Sequence, residues 1–284
     1  MRKIILNTIT ILFSMSLFAN DYNYFRYGNL PFDVDYFTGN SFYNLDSYYS
    51  FNNCTKIDNA EIDIEESSEC YKMKLVFKED GFLDSVYSDY HEGYFNKYEY
   101  NENGYYIKKS DIDFYKYSSD NTRELYYHNK FEKKETIEKI KDGYIIYTER
   151  FNPNINDLSL DSKTIYKYEG NKILSLENIT YNRLEKVDYV YNYEFEYAGD
   201  KLQKIIIKGN NQKAETIRNI ISLKYDIEGN LFKVINEHPL RPSENKVIEL
   251  FNYDEYGNWH YSKAYRRGEL YKIVNRSIKY DYKK

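Results

Sequence analysis

Proline and glycine are scarce in this chain, and their scarcity excludes whole classes of protein. Among 284 residues there are 4 Pro and 12 Gly, which is too few for collagen or for a flexible low-complexity linker. Tyrosine is abundant, at 36 residues, and aromatic residues make up 19% of the chain. So many residues that favour β-strands, over a length that can close a core, predict a folded protein of one large domain or two ordinary ones.

Only one long apolar run occurs, and it lies at the start of the chain. Arg2 and Lys3 precede the uncharged stretch Ile4–Phe18, and Ala19 offers a small residue for cleavage. This pattern predicts a secretory signal peptide over residues 1–19. A run of about 15 apolar residues is shorter than the roughly 20 that a membrane-spanning helix needs. We therefore expect an exported protein that is periplasmic, cell-surface or extracellular.

Positive charge is in deficit. Lys and Arg total 40 against 45 Asp and Glu, and removal of Arg2 and Lys3 with the signal takes the net charge from −5 to −7. Binding to nucleic acid depends on Lys and Arg that neutralise phosphates. We therefore expect no nucleic-acid partner.

The two cysteines, Cys54 and Cys70, lie sixteen residues apart. In an exported chain this pair predicts a disulfide rather than a metal or redox site, and the loop it closes would contribute about 3 kcal/mol. Two buried thiols are the alternative in a reducing compartment. Residues 20–70 are rich in Tyr and Asn but lack periodicity, so they are expected to form an irregular N-terminal segment.

Turn signals recur at a nearly constant interval. From Gly143 onward, glycines follow at positions 170, 199, 229 and 257, which are spaced by 27, 29, 30 and 28 residues. Such spacing indicates an internal repeat, with two strands and two turns in each unit. Dipeptides that tolerate the positive φ angles of tight hairpins carry the signal. They are Asp80-Gly81, Asn103-Gly104, Asp142-Gly143, Gly170-Asn171, Gly199-Asp200, Gly229-Asn230 and Gly257-Asn258.

The segments between the turns alternate polar and apolar residues, as half-buried strands do. The clearest example is residues 187–197, where rings recur at every second position; Trp259, Tyr261 and Tyr265 follow the same rule. The alternation predicts that the rings gather on one face of the sheet. At Lys133–Lys141 a short helix competes, but we favour a strand.

Two repeats can be quoted whole, as YDIEGNL (225–231) and YDEYGNW (253–259). In each, the Asp side chain can accept hydrogen bonds from backbone amides of the turn, and the Gly accepts a left-handed conformation. The residues concerned are Tyr225, Asp226, Gly229 and Asn230 in the first repeat, and Tyr253, Asp254, Gly257 and Asn258 in the second.

The pattern of these two repeats resembles the YD repeat of Rhs-type bacterial proteins and teneurin-type ectodomains. The resemblance covers residues 71–284, and it implies an array of β-hairpins with packed Tyr side chains. It does not imply toxin encapsulation, because five or six units are too few for a shell. We therefore predict an all-β fold for 71–284, an antiparallel meander of about fourteen strands that forms a single sheet, rolled or barrel-like.

The sequence offers no motif for catalysis. The four histidines, at 91, 128, 238 and 260, are too widely spaced to share a helical metal-binding face. The chain also lacks a Gly-Xaa-Ser-Xaa-Gly elbow, a phosphate-binding Gly-Lys loop and a His-Glu-Xaa-Xaa-His site. We therefore expect no catalytic, cofactor-binding or metal-binding residues.

The aromatic residues are the one feature with functional potential. Tyr combines a flat apolar ring with a hydroxyl, which suits stacking on sugars or gripping peptides. We therefore predict a non-enzymatic interaction or scaffold module with a protein or glycan partner. The alternatives are an outer-membrane β-barrel and a secreted carbohydrate-binding or hydrolytic protein. Membrane association is disfavoured, because Lys204 and Lys208 share a strand face with Leu202 and Ile206.

Overall fold

The computed structural model describes residues 57–66, 69–78, 83–89, 93–100, 106–109, 113–119, 122–169, 172–182, 184–210 and 215–280. Within these ranges the regular elements are eighteen strands and one 3₁₀ turn, Pro242–Glu244. The strands are β1 (Ile57–Glu66), β2 (Glu69–Phe77), β3 (Leu83–Ser88), β4 (Tyr94–Tyr100), β5 (Tyr106–Lys109), β6 (Asp113–Ser119), β7 (Thr122–Tyr127), β8 (Lys130–Ile140), β9 (Gly143–Asn152), β10 (Asp157–Glu169), β11 (Lys172–Tyr181), β12 (Val187–Ala198), β13 (Lys201–Asn210), β14 (Glu215–Tyr225), β15 (Leu231–Glu237), β16 (Lys246–Tyr253), β17 (Trp259–Arg266) and β18 (Glu269–Tyr280).

The strands form one antiparallel sheet in which consecutive strands are neighbours, so the predicted all-β meander is confirmed. The predicted number of strands, about fourteen, is too low. The described segments between residues 83 and 127 form five short strands of 4–7 residues, which are too short to show a clear alternation. A further strand, β1, lies inside the segment for which the sequence suggested irregular structure. The predicted strand at Lys133–Lys141 is confirmed by β8.

The described residues divide into two units. Unit 1 comprises residues 57–99 and 221–280, and unit 2 comprises residues 100–220. In unit 1 the strand order is β15-β16-β17-β18-β1-β2-β3-β4, because β1 pairs with both β18 and β2. The first and last described strands are therefore hydrogen-bonded neighbours. In unit 2 the order follows the chain from β5.

The core of unit 1 consists mainly of aliphatic side chains from one face of its strands, which also buries Lys246, Lys272 and Arg276. Ile64, Val274, Ser262 and Leu250 are paired across four neighbouring strands, and all four are buried. The side chains that flank them along each strand point to the opposite face and, apart from Ile273, are charged, polar or aromatic, which is the alternation expected of a sheet with one buried face.

The core of unit 2 contains more rings. On β12, Tyr193 and Phe195 are buried, and Tyr197 is half-buried on the same face, as the alternation predicted. They pair with Ile207, Ile205 and Leu202 of β13. Aromatic rings opposite β-branched or aliphatic residues are favourable cross-strand pairs.

Strand β17 departs from the prediction. Trp259 is buried, but Tyr261 and Tyr265 lie on the face opposite the buried Ser262 and Ala264. The alternation changes beside Asn252 of β16, which has a left-handed φ of 57°. The rings of unit 1 are therefore divided between the two faces of its sheet.

The glycines of the turns fill two different roles. Gly199, Gly229 and Gly257 have φ values of 61°, 96° and 77°, in the left-handed region that other residues avoid. Gly143 does not share this conformation, in contrast to the expectation for Asp142-Gly143. A Cβ on Gly143 would lie 1.8 Å from the carbonyl oxygen of Tyr166, so this glycine permits the close approach of β10.

Among the residues that the structure describes, no helix is long and apolar enough to cross a membrane.

Candidate functional site

The turn between β14 and β15 is closed by one aspartate. The backbone amide of Asp226 donates to the carbonyl of Asn230 at 2.9 Å, and the Gly229 amide donates to the carbonyl of Asp226 at 3.1 Å. The side-chain Oδ1 of Asp226 accepts a further bond from the Asn230 amide at 2.8 Å. Tyr225, the last residue of β14, is half-buried before this turn.

The turn between β16 and β17 repeats this geometry. The amide of Asp254 donates to the Asn258 carbonyl at 3.0 Å, and the Gly257 amide donates to the Asp254 carbonyl at 3.0 Å. Oδ1 of Asp254 accepts hydrogen bonds from the amides of Tyr256 and Asn258, both at 2.9 Å. The structure therefore places the Asp, Gly and Asn of both repeats in the same turn network.

The tyrosine of a repeat reaches back to the preceding hairpin. The hydroxyl of Tyr253 donates to the carbonyl of Leu231, the first residue of β15. Likewise, Tyr197 donates to the carbonyl of Ile173 at 3.2 Å. Burial raises the pKa of Tyr197 to about 12. Each hydroxyl thus ties one repeat to the previous one, which gives a physical reason for the spacing of the tyrosines.

Asp254 is also the centre of a polar cluster. Its Oδ2 accepts hydrogen bonds from the hydroxyl of Tyr280 and from Nε2 of His260, the latter at 3.1 Å. Burial alone would raise the pKa of Asp254, but the bonds from Tyr280, from the Asn258 amide and from His260 hold it below its usual value. Burial and the bond to Asp254 raise the pKa of Tyr280.

Both ring nitrogens of His260 are occupied in this cluster. Nδ1 lies 2.9 Å from the carbonyl oxygen of Arg276, and Nε2 faces the carboxylate of Asp254. Neither nitrogen faces the hydroxyl of Ser262, which lies two residues along the same strand. A base that activates a serine needs a ring nitrogen directed at the hydroxyl oxygen. The geometry therefore gives His260 a structural role in the turn.

The other histidines are placed separately. His128 lies in the turn between β7 and β8 with a left-handed φ of 47°. Nδ1 of His238 lies 4.0 Å from Glu244, and burial lowers the pKa of His238. His91 lies outside the described residues. Within the described ranges, no three His, Cys, Asp or Glu side chains are grouped so that they could hold a metal ion.

Of the predicted disulfide, only one partner is described. Cys70 lies near the start of β2 and is exposed, opposite Glu65 of β1. Cys54 lies outside the described residues, so the pairing of Cys54 with Cys70 stays a prediction.

The exposed face of unit 1 carries two pairs of aromatic rings. In the first ring pair, Phe251 of β16 and Tyr261 of β17 are cross-strand neighbours with centroids 5.7 Å apart. The second ring pair is formed by Tyr87 of β3 and Phe95 of β4, with centroids 4.6 Å apart. The exposed fractions of Phe251, Tyr87 and Phe95 are 38%, 47% and 50%. Rings this exposed contribute little to a core.

Between the two ring pairs lies a strip of charged and polar side chains, which we call the polar strip. Register places the two ring pairs on the same face, because Tyr261 pairs with Asn275 of β18, Asn275 with Asp63 of β1, and Asp63 with Lys72 of β2. Two residues further along the strands, Ser277 pairs with Glu61, Glu61 with Lys74, and Lys74 with Tyr87 of β3. Two ion pairs cross the strip, Lys72–Asp63 at 3.6 Å and Lys74–Glu61 at 3.8 Å.

Sequence reasoning missed this surface. The alternation rule predicts that Tyr261 lies on the same face as Trp259, and it makes no prediction for Phe251 or Phe95. The signal that could have revealed them is a pair of adjacent apolar residues, Leu250-Phe251 and Tyr94-Phe95. Neighbours along a strand point to opposite faces, so one member of each pair has to face away from the core. However, only strand register brings Phe251 beside Tyr261, and Tyr87 beside Phe95.

Comparisons with known proteins give likenesses of shape at low identity. No family model matches the chain, and no curated protein matches it. The alignment with a porin-like protein from Bacteroides uniformis covers 78% of this chain and 98% of that protein's chain, with a TM-score of 0.41 and 9% identity. A porin-like protein from Bacteroides vulgatus matches 66% of this chain and 95% of its own, with a TM-score of 0.42 and 11% identity. The TcdB2-TccC3-TEV structure matches 72% of this chain and 14% of its own, with a TM-score of 0.19 and 10% identity. These values assign the chain to no family.

Proposed function

We propose that the chain is an exported, non-enzymatic β-repeat protein that acts as an interaction module, and that the exposed aromatic face of unit 1 contacts its partner. The observation that carries the proposal is the presence of two ring pairs on the side of the sheet opposite the aliphatic core. Single exposed rings are common on protein surfaces, but clusters of them mark interaction sites. Export is supported by the signal peptide predicted over residues 1–19.

The composition of the two faces supports a partner in water rather than a lipid surface. A strand face that contacts lipid is almost free of charge at mid-strand. Here the buried face of unit 1 is mostly aliphatic, and the exposed face carries the ion pairs Lys72–Asp63 and Lys74–Glu61. The outer-membrane alternative would require an apolar exposed face, with the charged side chains on the other face.

The experiment has an export arm and a binding arm. Cells that express the full chain are separated into soluble periplasmic, membrane and extracellular fractions, and we expect the protein outside the cytoplasm without detergent. Purified mature protein is then sedimented with cell-envelope preparations of the producing organism. Recovery only in a detergent-soluble membrane fraction, or absence of co-sedimentation, would overturn the proposal.

A matched pair of variants tests the surface. Phe251→Ala combined with Tyr261→Ala removes the first ring pair, and co-sedimentation should fall. Phe151→Ala serves as the control, because Phe151 of β9 is as exposed as Phe95 but lies in unit 2. Equal losses in the two proteins would show that the first ring pair is not the contact.

A further inference from the structure

We infer that the exposed face of unit 1 binds an uncharged glycan chain that lies across strands β16 to β4, with one ring pair under each end and the polar strip beneath its middle. This inference rests on the proposed function and names the ligand class of the same surface. It follows from the spacing of the ring pairs, the charge of the strip and the pairing of the strands.

The spacing requires an extended ligand. Tyr261 lies on β17 and Tyr87 on β3, with β18, β1 and β2 between them. Four strand spacings and an offset of two residues separate the rings by about 20 Å. A monosaccharide or a single side chain of a partner reaches only one ring pair, whereas a chain of several sugars reaches both.

The ring pairs suit the flat faces of sugars. Their interplanar angles are 36° for Phe251–Tyr261 and 35° for Tyr87–Phe95, so in each pair two rings are tilted rather than stacked. Tilted rings leave part of each π-face open for a flat apolar surface with polar groups at its edges. Nζ of Lys263 lies 5.6 Å from the centroid of Tyr261 and adds a hydrogen-bond donor beside the first ring pair.

The charge of the polar strip indicates an uncharged ligand. Glu61 and Asp63 supply two carboxylates, and Lys72 and Lys74 supply two ammonium groups that pair with them. A strip whose charges cancel offers no net attraction to a polyanion or a polycation. It does offer acceptors and donors side by side, to which Asn275 and Ser277 add an amide and a hydroxyl. Sugar hydroxyls, which both donate and accept, complement this arrangement.

The pairing of the strands argues against an added peptide strand. Extended peptides often bind by adding to the edge of a sheet through backbone hydrogen bonds. In the described part of unit 1, each of the strands β16, β17, β18, β1, β2 and β3 is paired on both sides. The aromatic face of these strands therefore presents side chains to its partner rather than backbone groups.

The test uses the mature protein in native gels that contain hydroxyethylcellulose or dextran, which are neutral, or dextran sulfate, which is charged. We expect at least one neutral polymer to retard the protein and dextran sulfate to have no such effect. Loss of the first ring pair (Phe251→Ala with Tyr261→Ala) or of the second (Tyr87→Ala) should each weaken binding about tenfold. Phe151→Ala should bind like the parent, and thermal unfolding monitored by circular dichroism verifies that each variant is folded.

A length series tests the spanning geometry. For a retarding glucan, the matching hexasaccharide should compete with the polymer more than tenfold better than the trisaccharide, which is too short to reach both ring pairs. Absence of retardation by both neutral polymers, retardation by dextran sulfate alone, or equal loss in Phe151→Ala would overturn the inference. Equal competition by the two oligosaccharides would also overturn it.

The failure of this inference is distinguishable from failure of the proposed function. Cell envelopes are treated with periodate, which cleaves vicinal diols of sugars, or with proteinase before co-sedimentation. Binding that is lost after periodate and kept after proteinase supports the glycan. Binding that is lost only after proteinase would overturn the glycan inference and leave the interaction module intact, whereas no binding to untreated envelopes would overturn both.

Discussion

The hydroxyl of Tyr280 donates a hydrogen bond to Oδ2 of Asp254, which lies 26 residues earlier in the chain. Tyr280 ends β18, and Asp254 begins the turn between β16 and β17. The same hydroxyl accepts a bond from the side-chain amide of Asn258 at 2.8 Å. The end of the last described strand is thus tied to both ends of the turn between β16 and β17.

Replacement of Tyr280 by Phe should destabilise the protein without disturbing its core. The ring remains, but the carboxylate of Asp254 loses a donor, and a bond of this kind contributes about 1–2 kcal/mol to the free energy of unfolding. Urea unfolding monitored by circular dichroism measures the change. Tyr261→Phe is the control, since the hydroxyl of Tyr261 lies on the exposed face. Equal stability of Tyr280→Phe and Tyr261→Phe would show that the bond is unimportant.

The stability of the fold should depend on pH through Asp254. Its folded pKa is lowered, so its contribution is present above the pKa of an unfolded aspartate, about 3.9, and is lost as the pH falls through the folded pKa. We expect Asp254→Asn to be less stable than the parent at pH 7, with the difference shrinking below about pH 4. Free energies of unfolding between pH 3 and 7 check this, with the exposed Asp188→Asn as the control. A difference that is constant with pH would contradict the prediction.

Replacing one partner of a buried ion pair in unit 2 should strongly lower the free energy of unfolding. Nε of Arg123 donates to Oε2 of Glu135 at 2.6 Å, and their exposed fractions are 3% and 5%. Burial alone would raise the pKa of Glu135, but the charges of Arg123 and Lys133 lower it. Glu135→Gln should lower the free energy of unfolding by about 3–5 kcal/mol, because the buried guanidinium of Arg123 loses the carboxylate that it pairs with.

The double variant Arg123→Met with Glu135→Leu is the control for this pair. It removes both charges and should recover most of the stability, since apolar side chains of similar volume often replace a buried pair without loss. Denaturant unfolding of the parent, Arg123→Met, Glu135→Leu and the double variant completes the cycle. A double variant as unstable as the sum of the single variants would contradict the prediction.

Gly209 of β13 should not tolerate a methyl group. A Cβ at this position would lie 2.9 Å from Nε and 3.1 Å from Cγ of Arg218, and 3.4 Å from the ring of Tyr191. Gly209→Ala should therefore cost about 1–3 kcal/mol through overpacking, and Arg218→Ala in the same chain should relieve most of this cost. Thermal unfolding measures both. If the second substitution gives no relief, the contact with Arg218 is not the cause.

Ser262 is the polar member of an otherwise apolar row. It is 1% exposed between Leu250 and Val274, and among the described residues its Oγ has no hydrogen-bond partner. Ser262→Ala should raise the free energy of unfolding by about 1 kcal/mol, because it removes an unsatisfied buried hydroxyl. The exposed Ser277→Ala should change stability little. A loss of stability in Ser262→Ala would show that the hydroxyl is satisfied.

The local chemistry of the turns was predictable because it depends on residues that are close in sequence. Asp226 and Asp254 lie within four residues of the amides that they bind, and Gly229 and Gly257 occupy the left-handed positions. The face of the rings on β12 was equally predictable, because a strict period of two over eleven residues places them all on the same side of the sheet. Gly143 was misjudged because its role depends on β10, a strand more than ten residues away.

The candidate surface was less predictable than the turns. Alternation alone predicts that Tyr261 shares the face of Trp259. This prediction is wrong, because the alternation changes next to Asn252, a residue of the neighbouring strand with a left-handed φ. Phe251, Tyr87 and Phe95 were not recognised at all. A sequence pattern reports the face of a residue only while the strand is regular, and it does not report which residue stands opposite.

By itself, the sequence determined the all-β class, the antiparallel meander, the chemistry of the Asp–Gly turns and the predicted signal for export, because short-range backbone preferences and a period of two encode each of these. Only the tertiary structure decided that β1 lies between β18 and β2, that Tyr280 binds Asp254, and that two ring pairs flank a polar strip on the exposed face. These relationships join residues far apart in the chain. They arise from strand register, which is fixed by the packing of the whole sheet rather than by any local segment.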